Sequence, residues 1–227
     1  MRVIHILDHS IPLQTPYAAH TMAILASQRA LGWETFQLTG PNQGAGTATE
    51  DDVDGWHFYR TPRPGGILEG LPGLGALEFM GEIAYRTERL ARRVRPHILH
   101  AHSPVLNALP ALRVGRRLRI PVVYEVRAPS EDAASTTDAP EPLHGLTRLM
   151  ETWVLKRADA VTTVCEALRA DIVVRGIPSA KVTVVPCAVV ATAGAGAWDA
   201  YVQAASDSTS RAPVDDSHTY RRVYEQL

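Results

Sequence analysis

The chain has only two cysteines, Cys165 and Cys187, and neither sits in a CxxC pair or at a metal-ligand spacing. A disulfide framework and a zinc-finger-like site are thereby excluded, leaving two free thiols in a reducing compartment. No apolar run approaches the roughly 18 residues of a transmembrane helix. Met1-Arg2 leads directly into a strand-like run, so no signal peptide is expected. The expected location is the cytoplasm, with peripheral contact at the inner face of a membrane left open. A net charge of −1 gives no electrostatic basis for a nucleic-acid partner. Phosphate fingerprints are absent as well. The loop Asp8-His-Ser-Ile-Pro-Leu-Gln-Thr-Pro-Tyr-Ala-Ala-His20 contains no glycine, where a dinucleotide site needs GxGxxG between the first strand and helix. GxxxxGK[ST] does not occur either. No cofactor and no metal are expected.

What the chain does have is core-forming material. Hydrophobic residues make up 45% and charged residues 21%, enough apolar content to exclude global disorder. Charge is uneven locally: Arg86, Arg89, Arg92, Arg93 and Arg95 face a single acid, Glu88, and Arg113, Arg116, Arg117 and Arg119 follow. Such clusters form either solvated helix faces or a basic surface for anionic lipids or phosphorylated ligands.

Apolar runs predict strands at Val3–Leu7, Trp33–Leu38, Gly55–Arg60, Ile98–His102, Pro121–Val126, Ala160–Val164 and Lys181–Val185. Helices are predicted between them at 21–31, 76–94, 107–118, 143–157 and 166–175, with Gly32 and Gly176 as stop signals. In the fourth of these, Leu146, Leu149, Trp153 and Val154 recur at helical spacing and read as its buried face. This alternation predicts an α/β fold with a doubly wound, mostly parallel sheet. Residues 129–142 read as a loop. After Val190 the sequence turns small and polar, so 191–218 is expected to be a linker or disordered, followed by a short helix over 219–227. That helix would place Tyr220, Val223, Tyr224 and Leu227 on one face, and one so short is marginal in water unless it docks.

The most informative segment is Pro96-His-Ile-Leu-His-Ala-His-Ser-Pro104. His100 and His102 are two apart on a strand and share a face, at the strand end where α/β proteins gather ligands. His102 suits a general base or polar anchor; His100, one step deeper, reads as a hydrogen-bonded core residue. Asp8 and His9 read equally as ligand-facing or capping. Glu125 and Arg127 share a face and either pair with each other or leave Arg127 to hold a phosphate or carboxylate. Glu131, Asp132, Thr162, Thr163 and Cys165 are further candidates for a cleft wall, with Cys165 read as packing.

Residues 1 to about 190 resemble the N-terminal, acceptor-side Rossmann-like domain of family 4 glycosyltransferases, one half of a GT-B fold. The resemblance is carried by Arg2-Val-Ile-His-Ile-Leu-Asp-His-Ser10, Gln28-Arg-Ala-Leu-Gly-Trp-Glu-Thr35, Pro96–Pro104, Ile120-Pro-Val-Val-Tyr-Glu-Val-Arg127, Ala158-Asp-Ala-Val-Thr-Thr-Val-Cys-Glu166, Gly176-Ile-Pro178 and Lys181-Val-Thr-Val-Val-Pro186. The ordered series is most similar to the branch associated with exosortase (PEP-CTERM) exopolysaccharide loci. The resemblance implies a retaining, metal-independent transfer from a nucleotide-sugar to a glycan or lipid-linked acceptor. His102 would be the catalytic residue beside the transferred sugar. Asp8, His9, Ser10 and Tyr17 of the first loop, with Arg127 and Thr163, would bind substrate. Two departures stand out: Thr15-Pro16 replaces the family's glycine pair, and Pro186-Cys-Ala-Val-Val190 lacks its hinge asparagine and aspartate.

The donor-binding domain is also unaccounted for. Residues 191–227 are too few for a second Rossmann-like domain and contain no Glu-x7-Glu nucleotide-sugar motif. Yet Tyr220-Arg-Arg-Val-Tyr-Glu-Gln-Leu227 resembles the terminal helix with which such enzymes return to their first domain. Either the donor domain is missing from the middle, or a frame-altered tail resembles that helix by accident. The expectation is an acceptor-side half that is inactive alone. The alternatives are a non-catalytic binding module that pairs with a separate donor-domain chain, or an unrelated Rossmann-like enzyme.

Overall fold

The computed structural model describes residues 1–44, 48–63, 74–128, 141–186 and 216–227. Cys187, Glu131, Asp132, residues 129–140 of the loop expected over 129–142 and residues 191–215 of the linker expected over 191–218 lie outside these residues, while 141–142 and 216–218 belong to helices. The described strands are β1 (Arg2–Leu7), β2 (Glu34–Thr39), β3 (Glu50–Val53), β4 (Trp56–Arg60), β5 (Ile98–His102), β6 (Val122–Val126), β7 (Ala160–Thr163) and β8 (Val182–Val184). They form one sheet in the order β3-β4-β2-β1-β5-β6-β7-β8, parallel throughout except for the β3–β4 pair. The described helices are α1 (Pro16–Ala30), α2 (Leu74–Val94), α3 (Val105–Leu118), α4 (Glu141–Arg157), α5 (Glu166–Val174) and α6 (Asp216–Glu225). The mostly parallel α/β sheet is the one the strand–helix alternation predicts.

Strand alternation decides what each face of the sheet holds. One face presents Ile4, Ile6, Leu99, Ala101, Val122, Tyr124 and Val161, and α2, α3, α4 and α5 cover it with a continuous apolar core. The other face presents Val3, Ile98 and Val123, covered by α1 and α6 through Ile24, Tyr220, Val223 and Tyr224. Between those apolar residues the same face carries His5, His100, His102 and Glu125, all at most 1% exposed. One half of the fold therefore has an oil-like interior and the other a polar seam.

Several local features differ from the sequence reading. Helix α1 starts five residues earlier than expected: Thr15 caps it, accepting a hydrogen bond from Ala18 N at 3.0 Å, and Pro16 occupies its first turn. Strand β3 escapes a hydrophobicity reading because Glu50-Asp-Asp-Val53 is acidic. It pairs with β4 across a two-residue turn in which Asp54 (φ 50°) and Gly55 (φ 75°) are both left-handed. On α4, Val154 is buried, but Leu146, Leu149 and Trp153 are exposed, because Glu151 and Leu155 take the inward positions. Cys165 is exposed at the start of α5 rather than packed.

Gly115 lets α3 lie directly against the start of β6. A Cβ there would lie 2.4 Å from Val122 Cγ2 and 2.7 Å from the Ile120 carbonyl oxygen. Backbone cannot step aside as a flexible side chain can. Gly115→Ala is expected to destabilise the fold by about 1–3 kcal/mol, read as a lower urea midpoint; an unchanged midpoint would show that α3 moves away freely.

Candidate functional site

The chain runs from β1 outward to β2 and β4, then returns to β5 on the other side of β1. The loops leaving β1 and β5 therefore diverge, and this opens the crevice in which open α/β sheets bind ligands. Asp8 and His9 follow β1, and Ser103 and Pro104 follow β5. His9 Nδ1 lies 2.9 Å from Asp8 Oδ2, and its Nε2 lies 2.7 Å from Thr15 Oγ1. Asn42 Nδ2 donates to the other Asp8 oxygen at 2.8 Å. The His9 and Asp8 side chains remain 19% and 15% exposed, so this pair is reachable from the crevice.

Below that rim lies the polar seam. Register sets His5 beside His100 and His102 beside Glu125. Arg127, just beyond β6, bends back over Glu125: its Nε donates to Glu125 Oε1 at 2.6 Å. Its Nη1 donates to Tyr17 O at 3.0 Å and to Thr21 Oγ1 at 2.8 Å. Its Nη2 lies 2.6 Å from His102 Nδ1, and the guanidinium carbon sits 4.2 Å over the Tyr17 ring. From α1, His20 Nε2 approaches Glu125 Oε1 at 3.0 Å; from α6, the Tyr220 hydroxyl donates to Glu125 Oε2 at 2.6 Å.

The bonding assigns the imidazole tautomers. An arginine only donates, so His102 Nδ1 accepts and its Nε2–H donates to His5 Nδ1 at 2.9 Å. His5 Nε2–H then donates to Gln28 Oε1 at 2.9 Å. Gln28 Nε2 points at the Tyr224 hydroxyl (3.4 Å), which donates to His100 Nδ1. His100 Nε2 ends 3.3 Å from Glu125 Oε2, outside hydrogen-bond alignment. The result is a near-closed ring of donors and acceptors containing one ion pair and three neutral imidazoles.

Electrostatics follow from that arrangement. Burial, reinforced by His100, pushes the His5 imidazole down to about 3. Burial also lowers His100, and burial with His100 and Arg127 lowers His102 well below the usual range. Burial opposes ionisation of Glu125, but Arg127 and the adjacent histidines outweigh it and hold the carboxyl well below normal. The three histidines do bring ring nitrogens within 4.8 Å of one another, which raises the question of a metal. The donor set argues against one: His5 and His102 already share a proton, and Arg127 sets a positive charge against His102.

The sequence candidates thus fall into two layers. Asp8, His9 and Tyr17 line the crevice. His102 lies beneath it, fully buried with both ring nitrogens engaged, one of them by Arg127. Ser10 is buried and receives Arg60 Nη1 at 2.6 Å, which fixes the loop after β1. Thr163 pairs with Val126 in register, and alternation turns it to the sheet face opposite Arg127. The sequence reading did not single out His5, His20, Gln28 or Tyr224 for this network. His5 was hidden in an apolar run, although a histidine there is itself a signal. His20 and Gln28 lie eight apart on the buried side of α1, which marks a polar stripe.

Residues 17–188 match the family described as Glycosyl transferase 4-like domain. No curated protein sequence gives a significant match. Among solved structures, UDP-GlcNAc 2-epimerase from Methanocaldococcus jannaschii aligns with a TM-score of 0.52 at 14% identity, over 82% of this chain and 45% of that one. Sucrose-phosphate synthase from Thermosynechococcus elongatus aligns at 0.56 and 14% identity, over 82% of this chain and 48% of that one. A form of the same synthase designated 27_220_406_426 aligns at 0.59 and 13% identity, over 100% of this chain and 99% of that form. At such identities the likeness establishes the fold alone. The chain spans about half the length of the two longer proteins.

Proposed function

The chain belongs to the glycosyl transferase 4-like domain family, and from that premise we propose that it is the acceptor-side half of a nucleotide-sugar-dependent, retaining glycosyltransferase. The acceptor is a glycan or a lipid-linked glycan of the kind assembled in exopolysaccharide synthesis. The observation that carries this reading is the half-length correspondence: the chain spans 48% of sucrose-phosphate synthase but 99% of the shorter form of that protein. The designation of that form reads as two separated residue ranges, 27–220 and 406–426. Here α6 packs on the sheet beside α1 and closes the polar seam through Tyr220 and Tyr224. A first domain plus a returning helix, with the donor domain absent between them, accounts for both.

In this reading the Asp8–His9 rim and Tyr17 meet the acceptor, and Arg127 shapes the floor between them. His102 acts by holding Arg127 rather than by touching the sugar. The contacts that stabilise a nucleoside-diphosphate leaving group come from the opposite wall of the cleft. Among the described residues no helix is long and apolar enough to cross a membrane. A lipid-linked acceptor therefore requires contact at a membrane surface, for which the arginines of α2 and α3 are suited.

The 227-residue chain is expected to show little or no sugar transfer when incubated with UDP- or GDP-sugars and lipid-linked or glycan acceptors. Adding a donor-domain polypeptide is expected to restore turnover. Robust transfer by the chain alone would overturn the half-site reading.

A further inference from the structure

On the sheet face opposite the histidine network, β2, β4 and α2 line a hollow of about 290 Å3 that is open to solvent on the side of the exposed Arg89 and Arg93. Its wall includes Leu38, Tyr59, Tyr85, Arg86, Arg89 and Arg93. We propose that this cavity is a binding site for a small phosphate monoester carried on a sugar-like ring, separate from the crevice after β1 and β5. The proposal does not depend on the transferase reading.

The spacing on α2 comes first. Arg86, Arg89 and Arg93 recur at i, i+3 and i+7, so successive turns aim three guanidinium groups along one helix face. Two of them are partly committed. Arg86 Nε donates to Glu82 Oε1 at 2.8 Å, and its Nη1 donates to the Arg60 carbonyl oxygen at 3.1 Å. Arg93 Nη2 donates to the Tyr59 hydroxyl at 2.5 Å, and its Nη1 stands 3.5 Å from Glu50 Oε1. Among the described residues, Arg89 makes no hydrogen bond and no ion pair. A guanidinium left unpaired on a cavity wall, between two others, is the arrangement that receives an oxyanion.

Charge selects the ligand. The lining contains three guanidiniums and one carboxylate, Glu50. A carboxylate ligand matches one fork, whereas a phosphate monoester brings about −1.5 to −2 charge and three acceptor oxygens. The adjacent hollow between α2 and α3 shows the contrast. It contains Arg113 and Arg117, but Glu88 sits in it and is held by Arg92 at 2.7 Å and Arg117 at 3.1 Å, so its carboxylate is built in. Tyr85, 59% exposed, stands between the two hollows and offers a ring face for a sugar to lie against. The volume fits a ligand of hexose phosphate size.

The test is calorimetric titration of the full chain with glucose 6-phosphate, inorganic phosphate, glucuronate and glucose. Saturable binding of the phosphate ester is expected, weaker binding of inorganic phosphate, and none of glucose. Arg89→Gln and Arg93→Gln are each expected to weaken glucose 6-phosphate about tenfold, the loss typical of one charge-assisted contact. Arg116→Gln, on the exposed side of α3 outside the cavity, is expected to leave binding unchanged. Circular dichroism of each variant separates lost binding from lost fold. Absence of saturable phosphate-ester binding overturns the proposal, and so does glucuronate binding of equal strength. Equal losses in the Arg116 variant overturn it as well, since they would mark a diffuse surface effect.

Discussion

Replacing Glu125 with alanine is expected to reduce the unfolding free energy by about 3–5 kcal/mol, the range for removing one partner of a buried ion pair. The carboxylate is 1% exposed and the Arg127 side chain 8%, so water cannot take over the lost contact. The guanidinium edge that bonds at 2.6 Å and the Tyr220 hydroxyl lose their acceptor together, and His20 Nε2 loses its contact at 3.0 Å. Against a typical total of about 5–15 kcal/mol, such a loss brings the domain close to unfolding at room temperature. Urea denaturation followed by circular dichroism measures it. A double variant, Glu125→Leu with Arg127→Leu, should be more stable than Glu125→Ala, because it leaves no unpaired buried charge. A loss below about 1 kcal/mol in Glu125→Ala would mean that the pair behaves as a surface contact.

How much of this was legible in the sequence depends on range. Elements whose signal is local were readable: β1, β5 and β6 are short apolar runs, and Gly32 and Gly176 stop helices with φ of +75° and +85°. Alternation at i, i+2 puts Glu125 and Arg127 on one face and leaves their pairing as one of two readings, the one the structure shows. Strand β3 has a local signal of another kind, the Asp54-Gly55 turn, which an apolarity reading passes over. What failed needed distance information. Nothing near Leu149 or Trp153 says that Glu151 will turn inward to bond Arg175 at 2.8 Å and so rotate those apolar side chains outward. Periodicity finds a stripe but not the direction it faces. Likewise His5 meets His102 across 97 residues, and Tyr224 meets His100 across 124. The His-x-His segment lies within this buried network, and its depth comes from the helices that cover it.

That depth gives the second large effect, a steep loss of stability on mild acidification. His5, His100 and His102 are each held neutral by burial, with His5 lowered to about 3 and the other two also lowered. In the unfolded chain the same imidazoles titrate near about 6.5. Below that pH the unfolded state binds protons that the native state refuses, so stability rises with pH across the window and is complete above about 6.5. With its folded value near 3, His5 contributes up to about 1.4 kcal/mol per pH unit, which removes about 1 kcal/mol between pH 6 and pH 5, and the lowered His100 and His102 add to the loss in the same direction. Glu125 acts lower: its carboxyl is depressed below the ordinary value, so its contribution fades only as the pH falls from about 4.5 toward its folded value. The interval from pH 6 to 5 therefore isolates the imidazoles. Urea midpoints at pH 7.5, 6.0 and 5.0 give the slope, and His5→Gln should reduce it while lowering stability at pH 7.5. A flat profile between pH 7.5 and pH 5 would show that the native network accepts protons. The directional ring from Arg127 through His102 and His5 to Gln28 leaves no nitrogen lone pair on His5 or His102 free to take one.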